Sequence, residues 1–182
     1  MRIISGNFKG RRFNPPLSKT STRPTMDMAK EGIFNIISNY FDFEKAKVLD
    51  LFGGTGSISF EFLSRECREV TIVENNAVLV RFISSVSSTL DTENNLKIVK
   101  DDALKFIKKI DDTFNLIFAD PPYNYRYYND LVNEIFSRAL LKPEGIFIIE
   151  HDKTQDFSTH EFFSDLRIYG TNRFSFFSKK TP

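Results

Sequence analysis

Apolar positions follow two rhythms along this chain. Behind Asp27, a residue type that accepts from the free N–H groups of a helix start, Ile33, Phe34, Ile36, Ile37 and Tyr40 recur at helical spacing. That spacing predicts a helix over 27–40. From Lys47 onward, short apolar runs alternate with amphipathic stretches. KVLDLF, EVTIVE, LKIVK, FNLIFA and GIFIIE predict five strands. GSISFEFLSR, residues 76–89, DALKFIKKI and NDLVNEIFSRAL predict the helices between them. Strands that alternate with helices of about ten residues form a parallel sheet covered on both faces. The tail, DLRIYGTNRFSFFS, alternates about Gly170 and predicts a terminal hairpin. The fold class is therefore α/β: a doubly wound, mostly parallel, Rossmann-like seven-stranded sheet. Such sheets bind ligands at the carboxyl ends of their strands, at the point where strand order reverses.

Composition narrows the classes. Hydrophobic residues make up 41% and charged residues 27% of 182, which suits one folded domain with a short appendage. No apolar run approaches the ~20 residues of a membrane span, and MRIISGNFKGRRF lacks the apolar stretch of a signal peptide. The expectation is a cytoplasmic protein without a membrane partner. Cys67 is the single cysteine, so no internal disulfide is possible, and two histidines beside it predict no metal centre.

Charge divides the chain unevenly. Residues 1–31 carry a net +5 and the remainder −4. With Gly6, Gly10, Pro15, Pro16 and Pro24 among them, the first residues read as a short hairpin followed by an extended loop. The division expected is a basic arm over 1–26 and a catalytic domain over 27–182. Lys9, Arg11, Arg12 and Arg23 are then candidates to hold a polyanion, although a solvated tail would look the same.

The residues after each predicted strand carry the chemistry. The first strand runs into Asp50-Leu51-Phe52-Gly53-Gly54-Thr55-Gly56, the second ends on Glu74, and the third is followed by Asp102 and Ala103. A glycine loop brings backbone close to a ligand. An acid at the second strand end can accept from both hydroxyls of an unphosphorylated ribose. An acid after the third can accept from an adenine amino group. A dinucleotide cofactor is the competing reading, but GGTGSIS lacks the third glycine of that fingerprint and Asp50 would repel a pyrophosphate. A cationic sulfonium suits an acid-lined pocket, so the expected cofactor is S-adenosylmethionine, held by Asp50, Phe52, Gly53, Gly54, Gly56, Glu74, Asp102 and Ala103.

The fourth strand delivers Asp120-Pro121-Pro122-Tyr123. An exocyclic amine of a base is a poor nucleophile, because its lone pair is delocalised into the ring. A carboxylate and the Pro121 carbonyl can bind its N–H groups and turn the lone pair outward. Two prolines hold those acceptors in place. Tyr123 can stack on an extruded base. Tyr125, Arg126, Tyr127 and Tyr128 follow, a mixture that suits unpaired RNA, with Tyr125 and Arg126 as substrate-binding candidates. Some of these tyrosines instead pack on the next helix. His151, after the fifth strand, reads as structural, Cys67 as incidental, and His160 has no evident role.

Three segments together resemble the RsmD family of bacterial methyltransferases, which act on a guanine N2 of small-subunit ribosomal RNA. They are RIISG with KGR and RPTMD leading to KEGIFN, then DLFGGTG, then DPPY. The resemblance implies that Gly53, Gly54, Gly56, Glu74 and Asp102 bind S-adenosylmethionine and that Asp120 to Tyr123 hold the target amine. It implies that the RPT segment, Thr25 included, covers the cofactor. The partner it implies is 16S ribosomal RNA, free or within an assembled or assembling subunit. Gly54 stands where alanine is common and Met28 where arginine is frequent. A DNA adenine-N6 methyltransferase is the nearest alternative enzyme, since the same acceptors serve adenine. It usually carries a separate recognition domain. An NAD-dependent dehydrogenase would have no use for DPPY, and a non-catalytic RNA-binding protein on this fold is the remaining alternative.

Overall fold

The structure is a computed structural model that describes residues 1–16 and 24–179, with the side chains of residues 24–26 excepted. Seven strands form one sheet: β1 (Lys47–Asp50), β2 (Glu69–Val73), β3 (Leu96–Val99), β4 (Phe114–Ala119), β5 (Leu141–His151), β6 (Phe163–Tyr169) and β7 (Asn172–Ser178). Their spatial order is β3-β2-β1-β4-β5-β7-β6. The first five are parallel, and β7 and β6 join antiparallel at one edge as the expected hairpin about Gly170. The expected α/β class, a doubly wound and mostly parallel seven-stranded sheet, is what the chain adopts.

Among the described residues five α-helices cover the sheet: α1 (Pro24–Ile37), α2 (Ser57–Ser64), α3 (Ala77–Leu90), α4 (Ala103–Ile107) and α5 (Tyr128–Ser137). Side chains alternate across each strand, so neighbours along β1 serve different cores. Val48 lies with Phe34, Phe62 and Ile83 under α1, α2 and α3, whereas Leu49 lies with Ile107 and Ile135 under α4 and α5. Capping sets two helix starts. Asn76 accepts from the backbone of Val78 at 2.9 Å and begins α3, and Asp102 accepts from Lys105 N at 2.9 Å and begins α4.

Two boundaries move. The first helix begins at Pro24 rather than 27, because proline at the first helical turn gives up an N–H that has no partner there anyway. It ends at Ile37, before the expected 40. The fifth strand begins at Leu141, four residues ahead of GIFIIE, with a register shift between Phe114 and Leu116 of β4 that absorbs the extra length.

The chain runs β1, β2, β3 outward and then returns to place β4 on the other side of β1. The carboxyl ends of β1 and β4 therefore flank the reversal in strand order, where a crevice must open. Both sequence motifs emerge there, the glycine loop from β1 and DPPY from β4.

The N-terminal segment is bound to this body. Ile3 is buried in the core of α1 and α2, and residues 1–13 pair back on themselves through Ile3 N to Arg11 O at 3.0 Å and Phe13 N to Met1 O at 3.0 Å. The buried carboxylate of Glu61 accepts from Ile4 N and Ser5 N, both at 3.0 Å. Gly6 lies so close to α2 that a Cβ would meet the Ser64 carbonyl oxygen at 1.8 Å, and its φ of +76° already selects glycine.

Candidate active site

The glycine loop is built by close packing. A Cβ on Gly53 would meet Ile72 Cγ1 at 2.3 Å, so only glycine lets the turn settle against β2. Gly53 N donates to Val73 O at 2.9 Å and Gly56 N to Gly53 O at 2.7 Å. Gly54 differs: around its missing Cβ only the Phe52 carbonyl oxygen comes within 4 Å. That open side is where backbone can lie against a ligand.

The acids at the strand ends have separate tasks. Glu74 accepts from Gly54 N through Oε2 and from Asn76 N through Oε1, both at 2.7 Å. It ties the glycine loop to the start of α3. Each oxygen keeps a second lone pair for a ribose hydroxyl. Asp102 spends Oδ1 on its own helix start, and Ala103 is buried at the first helical position. Asp50 is 1% exposed and accepts from Ser59 Oγ at 2.7 Å, so it sits beneath the loop and anchors α2. Dehydration, with smaller effects from the Asp120 and Glu74 charges, pushes Asp50 up to about 7.

Asp50, Phe118 and Ile148 are level across β1, β4 and β5. Asp120 and Glu150 lie two residues further on, and alternation carries them to the same face of the sheet as Asp50. Glu150, the last residue of the expected fifth strand, thereby joins a site to which the sequence analysis did not assign it. An acid at a strand end was the available signal. Glu150 Oε1 accepts from Asn172 Nδ2 of β7 at 2.6 Å. Burial raises Asp120 and Glu150 above the usual carboxylate range, and the Asp120 charge adds to the shift at Glu150. Asp120 is crowded by protein yet open to solvent along the crevice, so water attenuates its shift. The Pro122 carbonyl accepts from Tyr125 N at 2.8 Å, whereas the Pro121 carbonyl takes no hydrogen bond among the described residues.

The tyrosines part company. Tyr123 is 81% exposed and Tyr127 54%, free to meet a base. Tyr128 is buried on α5. Tyr125 turns inward and meets the Phe52 ring edge-on at 5.2 Å between centroids. That contact places it at the border of the glycine loop, and its enclosed hydroxyl has no hydrogen-bond partner among the described residues. Arg126 is exposed beside them.

Of the basic residues near the N-terminus, Lys9, Arg11 and Arg12 are exposed. Arg2 pairs with Asp27 at 3.2 Å, and the buried Lys30 pairs with Glu61 at 3.4 Å, which reduces the free charge the sequence suggests. Arg23 and the Thr25 side chain lie outside the described residues. Met28 is 69% exposed. His151 is buried, with Nε2 2.8 Å from Ser175 Oγ and Nδ1 2.8 Å from the Asp152 carbonyl, which makes it a structural link between β5 and β7. His160 packs among Phe136, Phe162 and Phe177. Cys67 is buried and its thiol is pushed up to about 12 by dehydration, far from a reactive thiolate.

A glycine loop open at Gly54, a two-handed glutamate and a capping aspartate fit a ligand with ribose hydroxyls and an adenine amine. The fold is shared with solved structures. The Escherichia coli protein yhhF superposes with a TM-score of 0.85 at 24% identity, covering 97% of this chain and 96% of that one. A methyltransferase of Podospora anserina, PaMTH1, solved with S-adenosylhomocysteine bound, superposes at 0.66 and 14% identity, covering 87% of this chain and 83% of that one. In sequence, YlbH of Bacillus subtilis is 36% identical over 156 residues, covering 84% of this chain and 83% of the relative. The ribosomal RNA small subunit methyltransferase D of Haemophilus influenzae is 29% identical over 164 residues, covering 88% and 83%. The family model described as conserved hypothetical protein 95 matches residues 1–178, and the chain belongs to that family, the RsmD family that its three motifs resemble.

Proposed function

We propose that this protein transfers a methyl group from S-adenosylmethionine to the exocyclic N2 amine of a guanine in 16S ribosomal RNA. The observation that carries the reading is Asp120 beside a Pro121 carbonyl that is unengaged among the described residues, at the end of β4 and across the strand-order reversal from the glycine loop. Family membership supports it, as do relatives named ribosomal RNA small subunit methyltransferase D in Haemophilus influenzae and Escherichia coli.

Bound S-adenosylmethionine supplies an electrophilic methyl on a sulfonium. Glu74 holds the ribose hydroxyls, Asp102 accepts from the adenine amine, and Gly53, Gly54 and Gly56 bring the loop backbone against the cofactor. Asp120 and the Pro121 carbonyl accept the two N–H groups of the target amine, so that its lone pair turns toward the methyl. The gain is one of orientation and electrostatics. Tyr123 stacks on the base, Arg126 stands beside it, and Lys9, Arg11 and Arg12 meet phosphates. Residues 1–26 act as the RNA-facing part and 27–182 as the catalytic part. The substrate is ribosomal RNA, free or within a small subunit.

The test is to incubate the purified protein and labelled cofactor with small-subunit particles and naked 16S RNA from a strain lacking this gene. The nucleosides are then resolved by mass spectrometry. N2-methylguanosine is expected. N6-methyladenosine, or no product on either substrate, would overturn the reading.

A further inference from the structure

We propose that Glu150 is the residue that distinguishes guanine from other bases in the crevice, by accepting the N1–H of the target. The inference rests on a guanine N2 target and names what reads it.

Three acceptors lie near the ends of two adjacent strands. Ala119 and Ile149 are register partners in β4 and β5, so Asp120, just past the end of β4, comes beside Glu150, which is still within β5 and pairs with Phe174 of β7. The Pro121 carbonyl follows directly and is unengaged among the described residues. Glu150 is held from the far side by Asn172 at 2.6 Å on Oε1, while Oε2 takes no hydrogen bond among the described residues. The Watson–Crick edge of guanine offers three donors to match three acceptors: two N2 hydrogens and N1–H. Adenine offers two hydrogens on N6 and then a lone pair at N1. With the amine on Asp120 and Pro121, the neighbouring ring atom falls toward Glu150. For guanine that atom brings a hydrogen to the carboxylate. For adenine it brings a lone pair, which the carboxylate repels. A site built to receive a hydrogen bond rejects a ligand that lacks it far more strongly than an apolar pocket rejects a change of shape.

Dehydration and the Asp120 charge raise Glu150, so its protonation state decides what it reads. The ionised carboxylate accepts N1–H, whereas a protonated carboxyl would donate to a lone pair there. The preference for guanine therefore belongs to the ionised form, and the rates are compared at a pH above the Glu150 titration. Asn172 comes from the terminal hairpin, so β7 contributes a polar side chain to the site and serves as more than a sheet edge.

The test uses Glu150→Gln and small-subunit particles reconstituted from ligated RNA. The mapped target position carries either guanine or 2,6-diaminopurine, which keeps the N2 amine but has a lone pair at N1. Wild-type enzyme should methylate guanine at least tenfold faster than diaminopurine. The glutamine amide can donate to that lone pair, so the variant should lose at least tenfold on guanine and lower the guanine-to-diaminopurine ratio at least tenfold. Calorimetric titration with S-adenosylhomocysteine should give the same affinity for both proteins, which reports an intact fold. A variant that slows equally on both bases makes Glu150 structural and overturns the proposal, while N2-methylguanosine from the wild type leaves the function standing. A wild-type product other than N2-methylguanosine overturns both.

Discussion

In the proposed reaction the amino group of guanine is too weak an acid to lose a proton before it attacks, so the role expected of Asp120 is to accept and orient rather than to remove a proton. It becomes acidic only once the methyl has largely transferred, and the proton then leaves to solvent. An amide oxygen accepts the same hydrogen bond without charge. Asp120→Asn should therefore keep measurable single-turnover methylation, while Asp120→Ala should lose on the order of 10²–10³ in rate, the usual effect of a missing preorganised polar group. Both should bind S-adenosylhomocysteine as wild type does. Equal loss in the two variants would mean that the negative charge itself is required. Asp50 gives a second residue-level expectation, for stability. Its folded value of about 7 lies above the ordinary 3.8, so the folded state holds the proton more tightly. Between about pH 4 and 7 the native protein binds more protons than the unfolded chain, and this group's contribution to stability falls as pH rises through that window. Asp50→Asn removes the slope. Its stability relative to wild type should rise from pH 4 to 7, by at most about 4 kcal/mol at 1.36 kcal/mol per pKa unit, and level off above. Urea unfolding at pH 4.5 and 8 measures it, and a pH-independent difference would contradict the buried-acid account.

Among the elements, α2 joins two parts of the site. Its first residue, Ser57, accepts from Lys30 Nζ at 3.1 Å and follows directly from the glycine loop. Its Glu61 holds the N-terminal segment and the Lys30 ammonium, and Arg65 reaches the same carboxylate at 3.0 Å. Burial lowers the Lys30 pKa, and Glu61 opposes that shift. Glu61→Gln leaves a buried ammonium without its counter-charge and should cost about 3–5 kcal/mol. In a chain of this size each kcal/mol moves the melting temperature by about 2–4 °C. Adding Lys30→Met should recover part of the loss, since it removes the buried ammonium and leaves only the Arg65 guanidinium without its carboxylate. Thermal melts of the single and double variants decide this, and additive losses would rule out a coupled pair.

Across the whole molecule, the unpaired positive charge of the described N-terminal segment lies at Lys9, Arg11 and Arg12, on a hairpin hydrogen-bonded to α2 through Asn7 N and Ser64 O. Replacing Arg11 and Arg12 with glutamine should weaken RNA binding and flatten its dependence on salt, by about one unit of slope per lost phosphate contact. Affinity for S-adenosylhomocysteine should hardly change. A wild-type salt slope in the double variant would return these residues to the role of a solvated surface.

The patterns that sequence alone determined are those written in consecutive residues. The apolar rhythm specified five parallel strands and a hairpin, because the periods of strand and helix are local properties of the backbone. The glycine loop and DPPY were visible because each is a strand end plus the few residues after it, and sheet topology places such ends together. The tertiary structure alone decided what depends on residues far apart in the chain. Glu150 enters the site through the register of β5 on β4, and Asn172 reaches it from β7. Lys30, counted in the sequence as free charge, is consumed by Glu61 31 positions later. Tyr125 and Tyr123, two residues apart and alike in the sequence, part because only one finds Phe52 to pack against. Composition records how many charges and rings a chain carries, but their pairing is settled by which of them the packed core brings within reach.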